Sequence, residues 1–205
     1  IHLEGYISNQ GGHIYCDNTH FVLSGNAGGG VTNLNEGDYF HDLTVASNSL
    51  LLLGNLYSDT LCVEGNLTLD NGLSGSSGIM TNGVNMKIGG NWDNNIGSSG
   101  FSHRSNEVMF YNSSSLQDVT GDNIFYNIVD NTSGTGWVRF NGLTEIDKSI
   151  YINHKVEVTD SVFVNSTLYL TGSTDELLIS PGGYLEVTSF RQGGNVVSNG
   201  GTFIA

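Results

Sequence analysis

Residues 143–170, LTEIDKSIYINHKVEVTDSVFVNSTLYL, decide the fold. Apolar pairs fall at Ile150/Ile152, Val156/Val158, Val162/Val164 and Leu168/Leu170, each pair six residues after the last. Within a pair the spacing is two, which puts both side chains on one side of an extended strand, and the polar residues between pairs mark a bend. A helix would need apolar spacings of three and four. A hairpin meander would need longer strands joined by turn signals such as Asn-Gly, which this stretch lacks. Short strands joined by bends that coil the chain always the same way form a parallel solenoid, each coil hydrogen-bonded to the next. The expectation is an all-β fold, a right-handed parallel β-helix with roughly 20 to 24 residues per coil.

The same texture runs outward from this stretch. Pairs recur at Leu43/Val45, Leu51/Leu53, Leu61/Val63, Leu67/Leu69, Met86/Ile88, Leu177/Ile179 and Leu185/Val187. Gly54-Asn55, Gly65-Asn66, Gly90-Asn91, Asp70-Asn71-Gly72 and Gly182-Gly183 read as corners, because Gly and Asn tolerate the left-handed backbone that sharp bends use. The least patterned stretches, 71–82 and 97–106, read as loops bulging from the coil, and loops carry variable function on a repetitive scaffold.

The chain also resembles itself. HLEGYISNQGGHIYCDNTHFV at 2–22 returns without a gap as YLEVTSFRQGGNVVSNGGTFI at 184–204, and 88–129 aligns with 3–45 through Gly37-Asp38 on Gly121-Asp122, Phe40 on Phe125 and Leu43 on Ile128. Self-similarity of this kind is the mark of a repeat array. The expected unit is about 90 residues, with copies at 1–87, 88–183 and 184–205 in one continuous solenoid.

Composition narrows the function classes. Helix formers are scarce beside abundant Gly, Asn, Ser, Thr, Val and Leu. A net charge of −14 with only six Lys and Arg among 205 residues leaves no basic patch for nucleic acid. No apolar run reaches membrane-spanning length, so direct membrane insertion is not expected. Cys16 and Cys62 would sit about two coils apart, roughly 10 Å, which is beyond disulfide reach and reads as two buried free thiols.

The most specific stretch runs from Gly90 to Asn131. It carries Gly90-Asn91-Trp92, then the Asn106–Phe110 strand NEVMF, the turn QDVTG at 117–121, and FYNI at 125–128. This succession resembles a recurring pattern in very large secreted surface proteins of Bacteroidota-like and related environmental bacteria. The resemblance covers about forty residues, and the first copy only loosely. It implies a repetitive β-solenoid stalk or adhesin, exported and held at the cell surface, and it supplies no catalytic residues.

Candidate chemistry is thin. Parallel β-helices include polysaccharide lyases and glycosidases, which need clustered carboxylates with a basic partner or two facing carboxylates. The acidic residues here are dispersed over corners, and Asp147-Lys148 is the one suggestive pair. His13 and Cys16 are the only potential metal ligands in one short stretch, and the aligned copy has Asn195 and Ser198 there, so no metal and no cofactor is expected. Thr residues lack the constant Thr-x-Thr step of an ice-binding face. Of the aromatic residues, Tyr39, Tyr111 and Tyr126 are the outward-facing candidates for stacking on sugars. The sequence therefore reads as a non-catalytic extracellular stalk, filament or adhesin, whose partners are further copies stacked end to end and surface glycans; a polysaccharide-degrading β-helix is the alternative.

Overall fold

The computed structural model describes residues 1–4, 7–8, 11–24, 30–32, 34–46, 49–53, 60–70 and 78–205. The chain is an all-β parallel solenoid with about 22 residues per coil. Each coil has three faces, visited in the order I, II, III. Face I stacks His2–Glu4, the second halves of Tyr15–Ser24 and Tyr39–Val45, then Leu67–Leu69, Trp92–Asn94, Leu116–Thr120, Trp137–Asn141, Lys155–Val158, Glu176–Ile179 and Asn195–Ser198. Face III runs through Thr60–Val63, Asn85–Ile88 and Glu107–Phe110 into the second halves of Asn123–Asp130, Thr144–Ile152, Ser161–Leu170 and Tyr184–Gln192. Face II is built first from short strands, Ile7–Ser8 to Phe101–Ser102, and then from the first halves of those same long strands.

Register makes the core. On face I, Phe21, Leu43, Leu67, Trp92, Val119, Phe140, Val158 and Ile179 are successive pairing partners, and all are buried. The eight residues of the four apolar pairs in the deciding stretch are also buried. Each such side chain stabilises the coil by about 1.5–3 kcal/mol through removal from water. Pairing places Cys16 on Phe40 and Phe40 on Val63, so the thiols are two coils apart and both are free. Cys16 faces the core, but Cys62 faces outward and is only half-buried, because it occupies the position paired with outward Tyr39.

Gly182 takes the expected left-handed corner, at φ 88°, but the Gly65-Asn66 and Gly90-Asn91 corners work differently. Among described non-glycine residues only Asn18, Asn82, Arg104 and Ser105 have left-handed backbones. Asn66 and Asn91 act instead through their side chains. Asp42 Oδ1 accepts the Asn66 amide at 2.7 Å, Asn66 Oδ1 accepts the Asn91 amide at 2.9 Å, and Asn91 Oδ1 accepts the Asp118 amide at 2.9 Å. Each side chain thus satisfies a corner N–H one coil further along, where the ladder alone leaves it without a partner. Residues 54–55 and 71–72 lie outside the described residues. The expected loops are partly strand: Gly78–Met80 and Phe101–Ser102 complete face II and are too short to show alternation in the sequence.

Trp92, Gln117 and Asn123, from the most specific stretch, are buried latches between coils. Trp92 Nε1 donates to Asn123 Oδ1 at 2.8 Å, and the Asn123 amide donates to the carbonyls of Thr120 and Gly121 at 3.0 and 2.9 Å. Gln117 Nε2 donates to Ile88 O and Gly90 O one coil away, at 2.9 and 2.7 Å. Gly121, at φ 77°, passes so close to the Asn94 carbonyl that a Cβ there would collide with it.

The internal copies do not stack on one another. Leu3 lies on face I, its counterpart Ile88 on face III, and its counterpart Leu185 on face II. Likewise Phe40 on face III aligns with Phe125 on face II, and Leu43 on face I with Ile128 on face III. Each of these aligned segments starts one face earlier than the aligned segment before it. Strand-plus-corner is common to all three faces, so similar segments fit any of them.

Candidate functional site

Among the described residues the ladder breaks once on face II. Phe101–Ser102 ends a five-stranded sheet, and the next face II segment, Asn123–Phe125, belongs to the 18-stranded sheet. In parallel strands, alternate residues bond to opposite neighbours. Asn123 N donates to Leu143 O in the coil above, at 2.8 Å, so Ile124 turns its peptide groups toward the coil below. Thr81 N donates to Ser102 O from below, at 3.1 Å, so Phe101 turns its own upward. Two strand edges therefore face each other without pairing.

A cleft of about 480 Å³ opens there, lined by Ser99, Phe101, Ser102, His103, Arg104 and Ile124. The segment 97–106 shapes it. Gly97 at φ 95° leads into the 3-10 turn Ser98–Gly100, and Asn94 holds that turn by donating to Gly97 O at 3.0 Å and accepting Ile96 N at 3.1 Å. The Phe101 ring is anchored edge-on against Trp92, centroids 4.9 Å apart, and lies 5.6 Å from Phe125. After it, Arg104 and Ser105 adopt φ of 45° and 66°. Such a pair is costly for residues with side chains. Arg104 is left exposed, and its guanidinium has no partner among the described residues.

Beside the cleft, His103 Nε2 lies 3.0 Å from Asp147 Oδ2, and the His103 ring stacks on Tyr126 at 5.8 Å. Lys148 sits over the other side of this corner, 5.3 Å from the Tyr126 centroid. Asp147 and Lys148 are thus brought to one corner, each engaged with an aromatic residue's neighbourhood rather than with the other. Glu145 accepts the Asn165 amide at 2.8 Å.

The three candidate tyrosines divide between two places. Tyr126 belongs to the corner just described. Tyr39 lies on face III, 5.6 Å from the exposed Tyr15 ring, which stacks in turn on His13 at 5.4 Å. The Tyr39 hydroxyl donates to Asp17, and this bond pushes its pKa up to about 12. Tyr111 reaches across Gly89 to bring its hydroxyl 3.5 Å from Cys62 Sγ, and burial pushes its pKa up. Burial also raises the Cys62 thiol. His13 pairs with buried Asp38 at 3.0 Å, turned away from inward Cys16. Among the described residues no three His, Cys, Asp or Glu side chains gather as metal ligands.

The lining residues of the cleft were not singled out by any motif. For all but Ile124 the one signal was the lack of pattern in 97–106, where the coil departs from strand and corner. No protein-family model, no curated protein and no solved structure matches the chain.

Proposed function

We propose that the chain is a length of an extracellular structural rod, a right-handed parallel β-solenoid that serves as a stalk or filament at a cell surface and does no catalysis. Strand twist favours the right hand for parallel crossovers. The observation that carries the reading is the backbone ladder, which runs from His2–Glu4 to Asn195–Ser198 along face I without interruption. Such a ladder resists bending, and its length grows by about 4.8 Å per added coil. Repeats of about 90 residues, each stepping back one face, extend the rod while turning equivalent surfaces to every side. An outer surface of charge −14 keeps neighbouring rods apart in water.

A second version is end-to-end assembly of separate subunits through the backbone ladder. Strand edges with apolar neighbours are templates for further strands. Electron microscopy of the purified chain separates the versions: short rods about 40 Å long support the stalk, and long fibres support the filament. Immunogold labelling of source cells should place the antigen on the outer surface; a cytoplasmic label, or rounded particles in place of rods, would overturn the reading.

A further inference from the structure

We propose that the cleft at the face II ladder break binds a single carboxylated sugar unit of an otherwise neutral glycan. Its volume, about 480 Å³, falls in the range of roughly 300–1,000 Å³ typical of small-ligand sites. The lining supplies the groups a sugar acid needs. Ser99 and Ser102 offer hydroxyls, and the peptide groups of Phe101 and Ile124 turn toward the gap, so ring hydroxyls find both donors and acceptors. Ile124 gives an apolar wall for the C–H face of the ring.

Arg104 supplies the selectivity. A guanidinium binds a carboxylate through two parallel N–H bonds, and this one is exposed, unpaired among the described residues and held at the cleft by two consecutive left-handed residues. The nearby carboxylates do not compete for it. Asp147 is paired with His103 at 3.0 Å, and Glu145 holds the Asn165 amide. The charge of −14 restricts the ligand further, because a polyanion is repelled by the whole surface while a single carboxylate can pair with the Arg104 guanidinium.

The test is a ¹⁵N-resolved NMR titration of the chain with methyl β-glucuronide, with methyl β-glucoside as the uncharged comparison. Saturable shifts are expected at residues 99–104 and 124, with a Kd on the order of 1 mM, as befits one small sugar. The glucoside should bind ~10-fold more weakly, and Arg104→Asn, which keeps a residue tolerant of the left-handed backbone, should weaken the glucuronide by ~10-fold. Lys87→Gln, a charge loss on face III, should leave the affinity unchanged. The proposal is overturned by an absence of shifts in the cleft, by equal binding of the glucoside, or by equal losses from Arg104→Asn and Lys87→Gln. None of these outcomes touches the rod reading, which makes no use of the cleft.

Discussion

Asn123→Ala should cost about 3–5 kcal/mol, although it removes only a small polar side chain. Asn123 is buried, and its side chain serves four neighbours at once: it accepts from Trp92 Nε1 and the Asn94 amide and donates to the carbonyls of Thr120 and Gly121. The Asn94 amide, 3.1 Å away, retains the carbonyls of Gly97 and Asp122 when Asn123 is lost. Removing Asn123 therefore strands one buried indole donor, worth about 1–3 kcal/mol, and two carbonyl bonds worth about 1 kcal/mol each. The sum is a large share of the roughly 5–15 kcal/mol that holds a folded domain together. Urea unfolding followed by far-ultraviolet circular dichroism gives the cost, and a Trp92→Phe background isolates its origin. With the indole N–H gone, the cost of Asn123→Ala should fall by about 1–3 kcal/mol. A cost below about 1 kcal/mol, or the same cost in both backgrounds to within ~0.5 kcal/mol, would refute the latch.

Gly121→Val should destabilise by about 2–4 kcal/mol, since its φ is 77° and its added carbon meets the Asn94 carbonyl; Gly182→Ala, at φ 88° with open space around it, should cost only about 1–2 kcal/mol, and equal losses in urea melts would contradict the account. Asp130 is buried on face III, and burial raises its pKa above 3.8 despite donors from Thr132 and the His154 amide. The folded state then holds that proton more tightly than the unfolded chain, so stability relative to Asp130→Asn should fall as pH climbs from about 3.8 through the folded pKa; a rising difference would reverse the assignment. Asp17→Asn should bring the Tyr39 phenol from about 12 back toward 10 in an ultraviolet titration, because the Asp17 carboxylate is what holds its proton. Thiol titration of the native chain should be slow at both cysteines, as burial raises Cys16 and Cys62 alike, and fast modification before unfolding would speak against it.

Strand positions were legible wherever two inward residues flanked one outward residue, as from Ile150 to Leu170. The in–out alternation of a strand depends on burial alone, and burial selects apolar residues whatever the face. Face II before residue 110 was legible only at Leu51/Leu53, because its other strands are two or three residues long, as at Phe101–Ser102 and Gly78–Met80, too short for alternation to register. Polar latches were hidden for a different reason. Asn123, Gln117 and Asp130 occupy inward positions that the alternation reserves for apolar side chains, and what explains them is hydrogen bonding partly to other coils: Trp92 Nε1 for Asn123, the Ile88 and Gly90 carbonyls for Gln117, and the His154 amide for Asp130. The cleft was illegible because it is defined by a pairing that does not form, and an unmade hydrogen-bond ladder leaves no pattern of residue types.

The out-of-phase copies bear on how such a chain accommodates change. A repeat equal to a whole number of coils would put every large residue of one copy above its equivalent in the next. Here Trp92 on face I is paired with Leu67 below and Val119 above, and Phe140 with Val119 and Val158, so each bulky ring lies between aliphatic side chains of its own column. Interiors pack best when large and small side chains alternate, since identical rings in register leave voids or collide. Aligned segments that lie on different faces put their large residues on different walls, Phe40 on face III and Phe125 on face II, which keeps similar rings out of one column. Shape is therefore specified at the level of strand and corner, and surface chemistry is free to differ from face to face.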